Sequence, residues 1–505
     1  MKVTLIRPPA YSVGLMGAQR VPYLGIAYVA AACREAGHTV DIIDMCGENI
    51  DRSEIVKDRF IAYGMPFSFL DQRLKSAQII GVTCMFSQDW VFHRGLIQYV
   101  KKLVPDARVV AGGEHVTAIP EYCLNDCKEL DICVLGEGEK TFVKLLKAIE
   151  ADHDFGNIAG LVYRDKRSGT ISHTAKPIRQ KNIDDLPLPA WDAVPLENYL
   201  ARELNYHIQR GRTIPVLASR GCPYACTFCS NSNMWDNMWL GRDPVLVVDE
   251  MELYIEKYQI DNFVFSDLTA VVNRKNIEAL CREILDRGMK ITWQLPTLRT
   301  ESLDRQVLAL MYQAGCRELD FAVESGSREL LSQVNKGNDP ATMVALIKDS
   351  LQIGMNLSIN IIIGLPGERF KDFLKSYLMC MKLALSGLQE VNVFPFIPYP
   401  GSKLFNELQT SGALRLEDDF FTNLFAYADL SRAVSWSEHF GPKTLRAMRL
   451  FLLASFYGLM LLSHPFRLVR LIRNVFCRKG TTKFEGVVGR IFSNLKIYHS
   501  TEQGK

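Results

Sequence analysis

No stretch of this sequence offers the uninterrupted apolar run of roughly 18 to 20 residues that a membrane-spanning helix needs. The nearest approach, LFLLASFYGLMLL at 450–462, is too short to span. The start, MKVTLIRPPAY, lacks the basic-then-apolar pattern of a secretory signal. Net charge is scarce too: +3 over 505 residues is too little to mark a nucleic-acid footprint, so no nucleic-acid partner is expected. The thirteen cysteines, an odd number scattered along a long chain, do not read as a disulfide framework. They point instead to the reducing cytoplasm and to free thiols or metal ligands. The remaining composition is that of a globular protein, 48% hydrophobic and 23% charged, and its length exceeds what one core usually supports. Two or three domains are expected.

Residues 1–150 alternate short Val- and Ile-rich runs with helical patterns. VTLIRP (3–8), TVDIIDM (39–45), QIIGVTCM (78–85), RVVAGG (108–113) and DICVLG (131–136) read as strands, with helices such as 23–37 and 91–104 between them. That pattern predicts an α/β domain: a doubly wound, flavodoxin- or Rossmann-like parallel sheet covered on both faces, with its ligand at the strand carboxyl ends. Residues 151–212, with a hairpin at LVYRDKRSGTISH and the proline-punctuated DDLPLPAWDAVP, read as a connector. A second alternation over 213–400 gives six βα units, short of the eight of a closed barrel, so a partial (β/α)6 barrel of TIM type is expected. Residues 401–505 turn helical.

SRGCPYACTFCSN, just past the first strand of this second array, places Cys222, Cys226 and Cys229 within eight positions. Thiolates favour zinc or iron–sulfur ligation. Structural zinc wants a fourth Cys or His at finger-like spacing, and the sequence offers none nearby. Three ligands on a four-iron, four-sulfur cluster would leave one iron open to a substrate or cofactor.

C-x-x-x-C-x-x-C with Phe228 before its last cysteine resembles the signature of the radical S-adenosylmethionine superfamily. The resemblance implies a 4Fe-4S cluster on the three cysteines, whose free iron chelates S-adenosylmethionine and cleaves it to a 5′-deoxyadenosyl radical. It implies cofactor contacts from Phe228 at the adenine and from Asp267 in FSDLTA, where the commoner pattern is glycine-glycine-glutamate. Glu324 and Ser325 in FAVESGS, and Gly364 and Pro366 in GLPGE, complete that set.

The first domain resembles the cobalamin-binding domain of one branch of that superfamily, in the order LGIAY, GVTCM, GGEH, GEGE. The implied cobalamin contacts are Leu24, Gly25, Thr83, Cys84, Met85, Gly112, Gly113, His115, Gly136, Glu137 and Gly138, with Phe86 beside them. The Asp-x-His-x-x-Gly motif that gives a histidine to cobalt elsewhere is absent, so no histidine ligand is expected from it.

From FRLVRLIRNVFCRKG, where Arg467, Arg470, Arg473, Arg478 and Lys479 recur with helical spacing, two readings stand level: a helix packed on the barrel, or one lying at the inner face of a membrane. The resemblance implies a radical enzyme that takes hydrogen from an unactivated carbon and transfers a methyl group from methylcobalamin. Its partners would be a small hydrophobic substrate and a flavodoxin- or ferredoxin-type electron donor. A ring-closing or oxidising enzyme without methylation, like the anaerobic cyclase of magnesium-protoporphyrin monomethyl ester, has the same domains; PTLRTESLD (296–304) and FCSNSNMW lean toward it. A non-catalytic cobalamin carrier, which would want a fourth protein ligand on the cluster, ranks last.

Overall fold

The computed structural model describes residues 1–13, 18, 20–57, 59–165, 168–203, 208, 210–299, 301–432, 434–477, 482, 484 and 485. In the first sheet, five parallel strands stand side by side in the order Thr39–Asp44, Lys2–Arg7, Ile79–Thr83, Arg108–Gly112, Ile132–Val134. In chain order that is second, first, third, fourth, fifth, a doubly wound topology whose direction reverses between Lys2–Arg7 and Ile79–Thr83. The alternating apolar faces of these strands decide what covers them. Val3, Leu5 and Ile42 pack with Ala27, Ala30, Phe142 and Leu145 of helices Leu24–Glu35 and Gly138–Glu150. Ile6, Ile80, Val82 and Val109 pack on the other side with Leu96, Ile97 and Val100 of helix Trp90–Leu103.

The hairpin placed in the connector does form, as Leu161–Arg164 and Ile171–His173, but it belongs to this sheet: Leu161–Arg164 pairs antiparallel with Ile132–Val134 and lengthens the edge. A three-stranded antiparallel sheet of Ala10–Val13, Phe60–Tyr63 and Ser53–Lys57, unforeseen in the sequence, rises from the carboxyl side of the first strand.

The second sheet runs in chain order, Thr213–Val216, Asn262–Phe265, Thr292–Leu298, Cys316–Glu324, Asn356–Ile363, Glu390–Pro395, all parallel. Among the described residues no pairing joins its two edge strands, so the six-stranded barrel is open. Its pairing slips between Leu295 and Leu298 and between Phe321 and Glu324, near the carboxyl ends. Such bulges re-aim side chains beside a site.

The carboxy-terminal region divides its packing. Phe405, Phe420, Phe421 and Leu424 join the core on the Trp90 side of the first sheet. Helix Pro442–Ser463 instead covers the last strand of the second sheet, burying Leu445, Leu452 and Phe456 with Val391 and Val393. This helix has 22 residues, so it is longer than the apolar run at 450–462 and by length and composition could cross a membrane. Its buried stripe shows that it lies on the barrel instead. Arg478 and Lys479 lie outside the described residues.

Candidate functional site

The cysteine loop is seated by what surrounds it. Gly221 has φ +85°, and a Cβ there would overlap the Met238 carbonyl, so the turn into Cys222 needs glycine. The Thr227 N–H donates to the Val334 carbonyl at 3.0 Å, the Leu404 N–H to the Thr227 carbonyl at 2.9 Å, and Asn335 Nδ2 to the Ala225 carbonyl at 2.8 Å. Asn231 Nδ2 reaches the Cys222 carbonyl at 3.2 Å. The three thiols are free and at least partly accessible. Burial pushes the Cys222 thiol up, and Arg299 and Lys336 pull it the other way. One Arg299 N–H donates to Cys226 Sγ at 3.5 Å, and the guanidinium lies 3.5 Å from the centroid of the Tyr224 ring.

This donor set fits a 4Fe-4S cluster. Among the described residues no three His, Cys, Asp or Glu side chains gather closely enough to hold a single metal ion. Three partly accessible thiols in one loop, with the Arg299 and Lys336 cations beside them, suit an anionic cluster.

Phe228 is half-buried against Leu330, Val334, Leu365 and Phe396, which brings it to the fourth and fifth strand ends. Lys336 Nζ stands 5.9 Å over its ring and donates to Glu324 Oε1 at 3.0 Å. Glu324 has φ +64°, a costly backbone for a non-glycine residue and one that concentrates at functional sites. Gly364 is at φ +80°, with its N–H donated to the Glu368 carboxylate and with Pro366 two residues on. Two expected cofactor contacts face elsewhere. Ser325 is buried, its hydroxyl shared with Ser376 at 3.1 Å and accepting from the Ser327 N–H at 3.1 Å, so it fixes the turn. Asp267 is buried too, with its carboxylate taken by the Ser219 hydroxyl and by the Ala218 N–H at 3.2 Å. Burial raises it to about 6, and it holds the root of the cysteine loop.

At the carboxyl rim of the first sheet, Met85 and Phe86 are exposed and Gly25 opens the first helix with empty space where a Cβ would stand. Thr83, Leu24 and Gly138 are partly exposed beside them. Gly113 has φ +122°, and a Cβ there would come within 2.6 Å of the Cys84 carbonyl oxygen; with Gly112 it forms the turn that brings helix Glu114–Ala118 close. Exposed apolar side chains around an open glycine fit a broad flat ring such as a corrin. Three expected contacts leave this rim. Cys84 is buried in the core. His115 is wholly enclosed, with Nδ1 at 3.0 Å from Ser87 Oγ and Nε2 at 3.4 Å from Cys123 Sγ. Burial lowers it to about 3. Glu137 is occupied by Arg179 Nε at 2.9 Å, the Gln180 N–H at 3.0 Å and Arg220 at 3.0 Å, beside the buried Gly136. His93 is buried and His38 sits by Met1 at the opposite end of the sheet, so none of these three histidines reaches the rim.

Three residues escaped the sequence reading. Arg220, two positions before Cys222, bridges Glu137 and Glu139 of the first domain, the latter at 2.7 Å. Glu368 is buried, and burial pushes it up to about 8. Glu114 lies beside Ser230, and burial raises it to about 7. Its neighbour Thr117 donates to Met234 Sδ at 3.8 Å, so the GGEH turn and the segment after Cys229 touch. All three stand inside motifs quoted above, Arg220 in SRGCPYACTFCSN, Glu368 in GLPGE and Glu114 in GGEH, and nothing local marked them out.

Comparison with known proteins gives two family models, the B12 binding domain over residues 17–146 and the Radical SAM superfamily over residues 216–380. An uncharacterized methyltransferase of Pyrococcus horikoshii is 30% identical over 411 residues, covering 80% of this chain and 82% of its own. The chain belongs to the cobalamin-dependent radical S-adenosylmethionine enzymes. The cofactors of this family are the 4Fe-4S cluster, S-adenosylmethionine and cobalamin. Another relative within reach of these enzymes, the anaerobic magnesium-protoporphyrin IX monomethyl ester cyclase of Cereibacter sphaeroides, is 27% identical and covers 81% of this chain and 64% of its own. Among solved structures, the radical S-adenosylmethionine methyltransferase TsrM of Kitasatospora setae, with cobalamin and a [4Fe-4S] cluster bound, shares the fold at TM-score 0.65 and 19% identity, over 82% of this chain and 79% of that one.

Proposed function

We propose that the chain methylates an unactivated carbon of a small, apolar substrate, with Cys222, Cys226 and Cys229 holding the cluster. When bound, the cluster and S-adenosylmethionine supply a hydrogen-abstracting radical and cobalamin supplies the methyl group. One observation carries this reading: the segment after Cys229 rests on the GGEH turn, with helix Asn231–Trp235 packed on helix Glu114–Ala118 and Thr117 Oγ1 donating to Met234 Sδ. The two cofactor sites therefore adjoin, as a methyl group passing from one to a radical beside the other requires.

Each residue's part follows from its place. Arg299 and Lys336 set positive charge beside the thiolates; Glu324, held by Lys336 in a strained backbone, faces the bound S-adenosylmethionine; Phe228 walls its adenine and Gly364 lets backbone approach it. Met85 and Phe86 lie against the corrin. An external one-electron donor of flavodoxin or ferredoxin type serves the cluster, and the enzyme meets a membrane peripherally, at its inner face. The cobalamin domain takes in 1–150 together with the hairpin at 161–173 from the expected connector 151–212, and 213–400 and 401–505 serve as radical domain and carboxy-terminal cover.

The test is anaerobic reconstitution, a visible spectrum and an assay for 5′-deoxyadenosine under a strong reductant. Cys226→Ala should lose cluster absorbance and deoxyadenosine together; retention of both sinks the assignment. With methyl-labelled S-adenosylmethionine and apolar substrates, label in product accompanies one deoxyadenosine and one S-adenosylhomocysteine per turnover. The cyclase relative favours a second reading, ring closure without methylation, which an oxidised and unlabelled product would establish.

A further inference from the structure

An apolar face on the outside of the second domain lies uncovered. On helix Phe370–Leu385, Phe370, Leu374, Leu378 and Leu385 recur along one side and are exposed. On helix Pro442–Ser463 the stripe Leu445, Met448, Leu452, Phe456, Met460 is buried, which turns Leu450, Phe451 and Leu462 to the outside. Tyr377 stacks on Phe451 with ring centroids 5.3 Å apart, so the two outer stripes meet. Beyond Pro465, Arg467 donates to the Gly387 carbonyl at 2.7 Å and the Leu388 carbonyl at 3.2 Å, pinning helix Phe466–Cys477 beside the end of the first. That third helix exposes Phe466, Leu468, Val469 and Ile472. Three helices thus present one connected apolar surface, which a soluble protein does not maintain without something to cover it.

Charge selects what covers it. From Gly441 to Cys477 the chain has no Asp or Glu, while it carries Lys443, Arg446, Arg449, Arg467, Arg470 and Arg473. Arg449 is buried and Arg470 pairs with Glu485 at 2.9 Å, which leaves Lys443, Arg446 and Arg473 exposed at the surface, with Lys371 and Lys382 on the neighbouring helix. The carboxylate of that neighbouring helix, Asp372, is buried. Among the described residues the acids beside this face, Glu329 on Lys375 and Glu485 on Arg470, are each paired with a cation, and exposed Leu and Phe flanked by exposed Lys and Arg match the acyl boundary and the phosphates of an anionic bilayer.

We propose that this three-helix face docks the enzyme on an anionic lipid bilayer, with the helices lying in the interfacial plane. The assignment rests on the peripheral membrane contact proposed above and specifies its surface and its lipid. Docking this way keeps helix Pro442–Ser463 seated on the last strand, whereas spanning would tear its buried stripe away. It also brings the bilayer to the barrel mouth: the helix begins where Leu445 Cδ1 would meet a Gly364 Cβ at 2.7 Å, at the carboxyl end of the fifth strand. An apolar substrate could pass from lipid to site along this edge.

The experiment is flotation of the full-length chain with vesicles of phosphatidylcholine alone and of equal parts phosphatidylcholine and phosphatidylglycerol, alongside light scattering without lipid. Wild type should float with the mixed vesicles only. Leu462, Phe466 and Val469 are 83%, 87% and 67% exposed, so Leu462→Glu, Phe466→Glu and Val469→Glu leave the packing intact. Each should cut the bound fraction, and Arg473→Glu should weaken partition by about fivefold or more. Deoxyadenosine formation in detergent-free solution should stay at the wild-type level in all four. No flotation with either vesicle overturns the peripheral contact itself. Flotation undiminished in the variants overturns this surface, and equal binding to both vesicles overturns the anionic partner. A wild-type dimer that Leu462→Glu converts to monomer, with no flotation, makes a second copy the occupant and overturns the proposal.

Discussion

At the scale of the residue, Arg299 has one guanidinium and many duties. It donates to Glu301, to Asn338 Oδ1 at 2.7 Å and to the Lys336 carbonyl at 2.5 Å, and these bonds aim its remaining N–H at Cys226 Sγ. A hydrogen bond to a ligating sulfur draws charge from a cluster and eases its reduction. Arg299→Leu should therefore keep the iron content and lower the cluster's midpoint potential by tens of millivolts, about 60 mV per tenfold change in the one-electron equilibrium. Redox titration followed by EPR measures it, and an unchanged potential would make Arg299 a scaffold for Tyr224 alone. The three cysteines were legible because their spacing is local. Glu368 and Arg220 were not, because their importance comes from burial and from partners far along the chain. His115 and Ser325 misled for the same reason: a strand-end position in sequence does not reveal whether the side chain turns to the cleft or, as here, into the core.

At the scale of the element, the loop that carries the cluster is latched to the other domain. Arg220 lies between Glu137 and Glu139 at the start of helix Gly138–Glu150 and under the ring of Tyr28, at 4.9 Å. Glu137 retains Arg179 if Arg220 is removed, but Glu139 is left as a buried carboxylate without that partner. Breaking one side of a buried pair costs about 3–5 kcal/mol, whereas removing both charges is close to neutral. Arg220→Met should lower the urea midpoint by that order, and Arg220→Met with Glu139→Gln should recover much of it; equal loss in both would place the effect in packing. The parallel strands and their helices were readable from alternation of apolar runs. The small sheet of Ala10–Val13, Ser53–Lys57 and Phe60–Tyr63 was not, since its strands are short, SEIVK is half polar, and the pairing that brings Ala10–Val13 to the Ser53–Tyr63 hairpin joins residues some fifty positions apart. The hairpin at 161–173 was readable as a hairpin, but nothing local said which sheet would accept its edge.

At the scale of the whole molecule, the chain's last third binds its first. Phe421 packs against His115 with centroids 5.6 Å apart and against Tyr122 at 5.5 Å, and Arg94 reaches Asp418 at 2.8 Å. The cobalamin sheet therefore has one face that the amino-terminal segment does not cover by itself. Phe421→Ala should cost about 3–5 kcal/mol, seen as a lower denaturation midpoint; an unaltered midpoint would mean that this cover is loosely held. Nothing in the helical pattern of 401–505 indicated that it would split between two domains, because amphipathic helices do not name their partners. The open barrel carries a further consequence. Among the described residues its final strand, Glu390–Pro395, has a neighbouring strand on one side only, and such a strand edge invites another chain to add to it. Helix Pro442–Ser463 packs over that strand, with Tyr457 Oη 3.5 Å from the Val391 carbonyl. The helix is thus a guard against fibril-like self-association, and a lesion that loosens it should be felt first as insolubility, before any loss of cofactor.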